Sequence, residues 1–161
     1  MSKKEERLKE INQSLRALIE PEEDWLANMA NSSALLFDLM DDLNWAGFYI
    51  WKQDQLVLGP FQGKTAQVRI EEDKGVCGTA YSQRKIILVE DVHEFPGHIA
   101  CDVNSNSEIV LPVIVGGEVI AVLDIDSPQK ARFDELDHKY LKEFVEILVD
   151  ETNFLPLMEK F

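Results

Sequence analysis

The segment EIVLPVIVGGEVIAVLDID, residues 108–126, decides the fold of this chain. Apolar and mainly β-branched residues fill both of its halves, as is typical of strands. The Gly116-Gly117 pair between the halves is a two-residue connection of the kind that closes a β-hairpin. The segment therefore predicts two antiparallel strands, at residues 108–115 and 118–126.

A second hairpin is predicted earlier in the chain, at residues 45–51 and 55–59, where aromatic and apolar residues again favour strands. Gly59, Pro60 and Gly63 are expected to end it. Between the two hairpins, the predicted elements are a loop with a short strand or turn at 64–74, a short helix beginning at Gly75, a strand at 86–89 and an irregular loop at 90–107. A loop of that length in a small domain is usually functional.

Helices are predicted towards the two ends of the chain from apolar residues at helical spacing. They lie at residues 4–19, from Pro21 to about 43, and at 135–151 with Asp134 as the N-cap. The last residues, 152–161, are predicted to be a tail. This order gives one α+β domain, 1–161, with N-terminal helices at 1–43 and a mostly antiparallel sheet, the long loop and a C-terminal helix at 44–151.

The amino-acid composition and net charge of the chain exclude some classes of function. The chain has 161 residues, of which 45% are hydrophobic and 29% charged, as in ordinary globular domains. Its start, MSKKEER, has no apolar signal segment, so a cytoplasmic protein is expected. The net charge of −14 excludes nucleic acid as a main partner and disfavours anionic membranes, because both require a basic surface.

Three carboxylates are predicted to meet at one end of the 108–126 hairpin. Counting back from the glycine turn brings Glu108 close to Asp124 and Asp126, and these two aspartates share one face of their strand. Such a cluster is repulsive unless a cation, either a substrate ammonium or a metal, offsets it. The alternative is a solvated strand end.

The two cysteines are the candidate nucleophiles. Cys101 lies in the long loop, where Asp102 would raise the pKa of its thiol and a protonated His98 would lower it. Cys77 lies at a predicted helix start, where the helix dipole lowers a thiol pKa. For either thiol the alternative is an inert packing residue, which is the commoner fate of free cysteines. Two cysteines without CxxC or HxxxH spacing predict neither a metal site nor, in the cytoplasm, a structural disulfide.

Aromatic residues on the first predicted strand form a third candidate group. Trp45, Tyr49 and Trp51 share one alternation phase, so they can line one side of a pocket for an apolar or cationic group. The alternative is that they belong to the core. The common nucleotide-binding and hydrolase motifs are absent from the sequence.

Taken together, six segments resemble the GAF-domain free methionine-(R)-sulfoxide reductases. They are NWAGFYI at 44–50, LVLGPFQGK at 56–64, GVCGTA at 75–80, DVHEFPGHIACD at 91–102, SNSEIVLPV at 105–113 and VLDIDS at 122–127. The resemblance implies a six-stranded antiparallel sheet with helices on both faces and a pocket under the long loop. It also implies reduction of free L-methionine-(R)-sulfoxide by a homodimeric enzyme that needs no cofactor and draws electrons from thioredoxin.

The resemblance also implies roles for particular residues. Cys101 matches the nucleophile, which would become a sulfenic acid, and Cys77 is the candidate resolving thiol that would close a disulfide. The implied substrate-binding residues are Glu108, Asp124, Asp126, Trp45 and Tyr49. One acidic residue would assist protonation of the departing oxygen. The chain departs from three-cysteine members at Gln67, where they have a further thiol.

Two other function classes remain open at this point. A GAF-type module that binds a small molecule without converting it would share the fold and the pocket. An interaction protein whose cysteines only pack would share the fold alone. Thiol reactivity discriminates among the three, because only the reductase requires a thiol that reacts near neutral pH.

Overall fold

The 108–126 hairpin forms two adjacent inner strands of the sheet in the computed structural model, which describes residues 1–97 and 103–160. The strands are β1 (Trp45–Lys52), β2 (Gln55–Gly63), β3 (Arg69–Ile70), β4 (Ile87–Val89), β5 (Ser107–Val115) and β6 (Glu118–Ser127). Their order across the sheet is β3-β2-β1-β6-β5-β4, and every pairing is antiparallel. The expected six-stranded α+β fold is confirmed.

Helices cover both faces of this sheet. They are α1 (Lys3–Ile19), α2 (Trp25–Leu39), α3 (Gly75–Gln83), α4 (Glu135–Glu151) and α5 (Leu155–Lys160), with a short 3-10 helix at Val92–Glu94. The larger core lies between the sheet and α1, α2 and α4, whereas α3 packs on the opposite face over a smaller core that also includes Val92 of the 3-10 helix. None of the helices in the described ranges has the length and apolar character that crossing a bilayer requires.

The second helix is shorter than predicted at both ends. Asp24 is its N-cap and accepts a hydrogen bond from the backbone of Ala27, so residues 21–24 precede the helix instead of forming its first turn. Beyond Leu39 the backbone becomes extended at Met40, and Asp42 has a φ of 61°. The helical periodicity of the sequence continues past this point because the side chains after it, such as Leu43, still pack on the core.

Strand β2 continues through Gly59 and Pro60, which were expected to end it, and ends at Gly63. Gly47 of β1 pairs with Phe61, whereas Tyr49 pairs with Leu58, so β2 contains an extra residue at Gly59-Pro60. Such a bulge accommodates proline, which cannot donate a ladder hydrogen bond. A Cβ on Gly47 would lie 2.2 Å from the Cβ of Phe61, so the close approach of the two strands requires glycine here.

The predicted tail is corrected to an ordered segment. Residues 155–160 form α5, and Phe154 and Leu157 are buried in the larger core. A helix of 6 residues has fewer than two turns, so its apolar residues do not show a recognisable helical spacing in the sequence.

Leucine substitutions in α5 test this correction. Leu157 is 2% exposed and Leu155 is 59% exposed. We expect Leu157→Ala to lower the free energy of unfolding by about 2 kcal/mol, because it leaves a cavity at the margin of the core. Leu155→Ala is the matched control and should change it by less than about 0.5 kcal/mol. Equal effects in urea unfolding would contradict the docking of α5.

Candidate active site

The three carboxylates lie together on the face of the sheet that α3 covers. Glu108 on β5 pairs directly with Asp126 on β6, and Asp126 pairs on its other side with Trp45 on β1. Asp124 is two residues earlier on β6 and therefore projects to the same face. Each of the three is buried, with exposures of 5% for Glu108, 4% for Asp124 and 6% for Asp126. They are not a solvated strand end.

Cys77 reaches the cluster from above. Helix α3 begins at Gly75, whose φ of 62° favours glycine, and it places Cys77 over the carboxylates. The Sγ of Cys77, a carboxylate oxygen of Glu108 and one of Asp124 all lie within 4.8 Å of one another, and all three residues are buried. We call Cys77, Glu108 and Asp124 the thiol–carboxylate cluster.

The charges in this cluster oppose ionisation of the thiol. Burial raises the pKa of Cys77 well above its ordinary value, and the negative charges of Asp124, Glu108 and Asp126 raise it further. The expectation that the helix dipole lowers this pKa is therefore wrong, because desolvation and three nearby carboxylates outweigh the dipole. Cys77 is a neutral thiol at neutral pH.

The surroundings of Glu108 favour the protonated form of its carboxyl group. Burial raises its pKa well above the ordinary value, and repulsion from Asp124 and Asp126 adds to the shift. Its side chain shares hydrogen bonds with both aspartates, which a protonated carboxyl can donate. The Oδ1 atom of Asp124 is buried and accepts no hydrogen bond among the described residues. The site thus contains a proton donor beside a free, buried acceptor.

An aromatic group borders the carboxylates. Trp45 stacks on Phe61 with ring centroids 5.1 Å apart and on Tyr49 at 6.0 Å. The Trp45 indole N–H donates to the carbonyl of Lys64 (3.0 Å), and the Tyr49 hydroxyl donates to the carbonyl of Gln67 (2.8 Å). Both polar tips are thus satisfied, which leaves the ring faces for apolar contact.

The aromatic group beside the carboxylates differs from the predicted one in two residues, because it lacks Trp51 and includes Phe61. Trp51 stacks instead on Tyr81 of α3, with centroids 3.9 Å apart, near the opposite end of β1 from Trp45. Phe61 is a member that sequence reasoning missed, because β2 was expected to end at Gly59. The signal in the sequence was the aromatic residue two positions after Gly59, which only the bulge turns toward Trp45.

The predicted nucleophile, Cys101, lies outside the described residues, as do His98 and Asp102. The loop is described on either side of them. A Cβ built on Gly97 would lie 3.9 Å from the backbone nitrogen of Gly75, so this part of the loop reaches the start of α3. On the other side, Asn106 donates to Ser127 of β6, and the Asn44 side chain donates to Ser105. Both ends of the loop are therefore held beside the cluster.

Gln67 lies beside the aromatic group, between β2 and β3. Its backbone carbonyl accepts the Tyr49 hydroxyl, while its side chain is exposed and donates to the carbonyl of Arg69 at 3.4 Å. The position that is a third thiol in other members is thus close to the site, and glutamine there has no redox chemistry.

A six-stranded antiparallel sheet with one helix closing a buried polar site on one face, and the remaining helices on the other, defines a GAF-domain protein. Residues 33–149 match the GAF domain family. The chain belongs, within it, to the free methionine-R-sulfoxide reductases. It is 52% identical to the free methionine-R-sulfoxide reductase of Escherichia coli over 136 residues, which cover 84% of this chain and 82% of that protein.

Two further relatives extend this comparison. Protein YtsP of Bacillus subtilis is 59% identical over 136 residues, covering 83% of each chain. The X-ray structure of free methionine-R-sulfoxide reductase from Neisseria meningitidis in complex with its substrate superposes with a TM-score of 0.90 at 41% identity, covering 94% of this chain and 91% of that one. The family resemblance of the sequence motifs is confirmed.

Proposed function

We propose that this protein reduces free L-methionine-(R)-sulfoxide to L-methionine, with Cys101 as nucleophile and Cys77 as resolving thiol. The observation that supports this best is the buried cluster of Glu108, Asp124 and Asp126 beside the aromatic rings. It is complementary to a small zwitterion with an ammonium at one end and an apolar methyl group at the other. The names of the relatives give the same substrate class.

Substrate recognition follows from the free acceptor. An ammonium placed at the carboxylates would donate to Oδ1 of Asp124, a buried oxygen whose lack of a partner costs about 1–3 kcal/mol. The methyl sulfoxide end would then lie against Trp45 and Tyr49. A methionine within a polypeptide has no free ammonium, so this geometry favours the free amino acid.

The first step transfers the sulfoxide oxygen to the thiolate. The Cys101 thiolate attacks the substrate sulfur, the sulfur–oxygen bond breaks, and the products are methionine and a Cys101 sulfenic acid. The substrate sulfur gains two electrons, the cysteine sulfur loses two, and one proton is taken up. Glu108 is the group suited to supply that proton, because burial and the two aspartates raise its pKa well above the ordinary value and so favour its protonated form.

The second step removes the sulfenic acid. Attack by the Cys77 thiol would form a Cys77–Cys101 disulfide and release water, and a thioredoxin dithiol would then reduce the disulfide by exchange. Thioredoxin is proposed as the donor because the family resemblance implies it. A buried Cys77 with a raised pKa is a weak nucleophile, so we expect this step, not oxygen transfer, to limit turnover.

Stereospecific turnover tests the proposal. We expect the protein, with thioredoxin, thioredoxin reductase and NADPH, to convert free methionine-(R)-sulfoxide at least about 100-fold faster than the S epimer, since one epimer alone can present its oxygen to Glu108 while the ammonium and methyl groups are held. Methionine is measured by chromatography. Tight binding of the sulfoxide with no methionine release, even in a single turnover, would instead establish a binding module.

Assembly is proposed from the family resemblance. We propose a homodimer, which sedimentation equilibrium measures directly. A monomer that turns over at the same rate per chain would overturn the homodimer as the functional form.

A further inference from the structure

The thiol–carboxylate cluster has the donor set of a transition-metal site. It presents one sulfur and two carboxylate oxygens within 4.8 Å of one another, in a buried setting. A tetrahedral zinc ion with its usual Zn–S and Zn–O bonds separates its ligand atoms by about 3.3–3.7 Å. Small side-chain adjustments therefore bring the three atoms to coordinating positions.

A separate observation concerns the hydrogen bonding of Asp124 within this cluster. Asp124 is only 4% exposed, and its Oδ1 accepts no hydrogen bond in the described parts of the chain. A buried carboxylate oxygen is normally satisfied, so each exception requires an explanation. An ion or ammonium between Asp124 and its neighbours supplies one.

We propose that Cys77, Glu108 and Asp124 bind a divalent transition metal of the zinc class, and that the bound metal excludes the substrate from the site. Metal binding is inferred from the thiol–carboxylate cluster alone. Exclusion of the substrate rests on the proposed function, because it requires the substrate ammonium to bind the same carboxylates.

The ligand types select the metal. Calcium and magnesium prefer shells made only of oxygen, whereas a thiolate favours zinc and its neighbours in the first transition series. On binding, the protons of the Cys77 thiol and of the Glu108 carboxyl go to the solvent and the metal gives up water, so no electrons move. Three protein ligands leave the fourth position of a tetrahedron open to water.

Inhibition is the expected consequence. The metal would neutralise the carboxylates that attract the ammonium, and it would occupy the thiol proposed to resolve the sulfenic acid. Free zinc would therefore suppress both sulfoxide binding and recycling, and a chelator would restore them.

Cobalt titration of the reduced protein under anaerobic conditions tests the site without using activity. Co²⁺ bound to a thiolate gives a charge-transfer absorption in the near ultraviolet. We expect this absorption to saturate at one cobalt per chain in the wild type and in Cys101→Ser, and to be lost in Cys77→Ser. Asp124→Asn should weaken cobalt binding at least tenfold, whereas Glu118→Gln, an exposed carboxylate on the same strand, should not change it.

Zinc should displace the cobalt, and calcium and magnesium should not. Loss of the absorption in Cys101→Ser with retention in Cys77→Ser would overturn the site, and so would the absence of any thiolate band in the folded wild type. Circular dichroism of Cys77→Ser confirms its folding, and Asp124→Asn supplies an independent test if that variant unfolds.

Competition between the sulfoxide and cobalt tests metal binding and substrate exclusion separately. In Cys101→Ser, which should bind free methionine-(R)-sulfoxide without reducing it, the sulfoxide should raise the apparent dissociation constant for cobalt linearly with its concentration. Cobalt binding without competition, in a protein that turns the sulfoxide over, would overturn exclusion and leave the metal site standing. Cobalt binding in a protein with no turnover would leave the site standing and reject the proposed function.

Discussion

Cys101→Ser should release no methionine from free methionine-(R)-sulfoxide, whereas Cys77→Ser should release about one methionine per chain and then stop. The reason is that oxygen transfer consumes one thiolate, and the second thiol enters only afterwards. The thiol of Cys77 is unsuited to the first step, because burial and three carboxylates raise its pKa and keep it neutral. Rapid-quench chromatography of reduced protein, without thioredoxin, measures the amplitude.

The steady state gives the complementary result. With thioredoxin present, the wild type should show a burst of methionine followed by a slower rate, because resolution by a buried thiol is limiting. Cys77→Ser should keep the burst and lose most of the slow phase. If Cys77→Ser abolishes the burst and Cys101→Ser retains it, the two cysteines have exchanged roles. If Cys77→Ser turns over at the wild-type rate, an external thiol resolves the sulfenic acid.

Asp124→Asn should lower kcat/KM by about 30-fold to several thousand-fold, the equivalent of the 2–5 kcal/mol lost when one partner of a buried charged pair is truncated. The amide keeps the shape of the side chain but removes the charge that the substrate ammonium would meet. The amide also introduces an NH₂ group, a donor of hydrogen bonds, beside the substrate ammonium, which needs an acceptor such as the buried Oδ1. The loss should be seen mainly in KM, since the ammonium is bound in both the ground state and the transition state.

Thermal stability distinguishes this effect from unfolding. Asp124 is one of the charges that raise the pKa of Glu108, so its removal relieves repulsion within the folded protein. We therefore expect the Tm of Asp124→Asn to equal or exceed that of the wild type. Glu118→Gln, at the exposed start of β6, is the matched control and should change neither value. A fall in activity that accompanies a fall in Tm would indicate a structural role for Asp124 instead.

Local signals in the sequence were sufficient for most of the fold. The Gly116-Gly117 turn predicted the second hairpin and brought Glu108 close to Asp124 and Asp126, whereas the direct pairing of Glu108 with Asp126 also needs the register shift between Val113 and Ile114. Strand alternation then placed Asp124 on the same face. Counted back from a two-residue turn with no bulge, Glu108 would pair with Ile125 and lie on the opposite face, so nearest-neighbour chemistry determines the hairpin but not this register.

Contacts between elements distant in the chain decided the rest. The bulge at Gly59-Pro60, the docking of Leu157 and the stacking of Trp51 on Tyr81 each depend on a partner that no local pattern identifies. The ionisation of Cys77 depended most on the tertiary structure. The sequence placed this thiol at a helix start, where a lowered pKa is expected, but only the packing of α3 on the sheet sets it over three carboxylates. The sequence alone therefore determined that Glu108, Asp124 and Asp126 lie near one another, whereas the tertiary structure determined their common face and their ionisation. The reason is that a bulge, desolvation and charge repulsion all depend on what packs around a group.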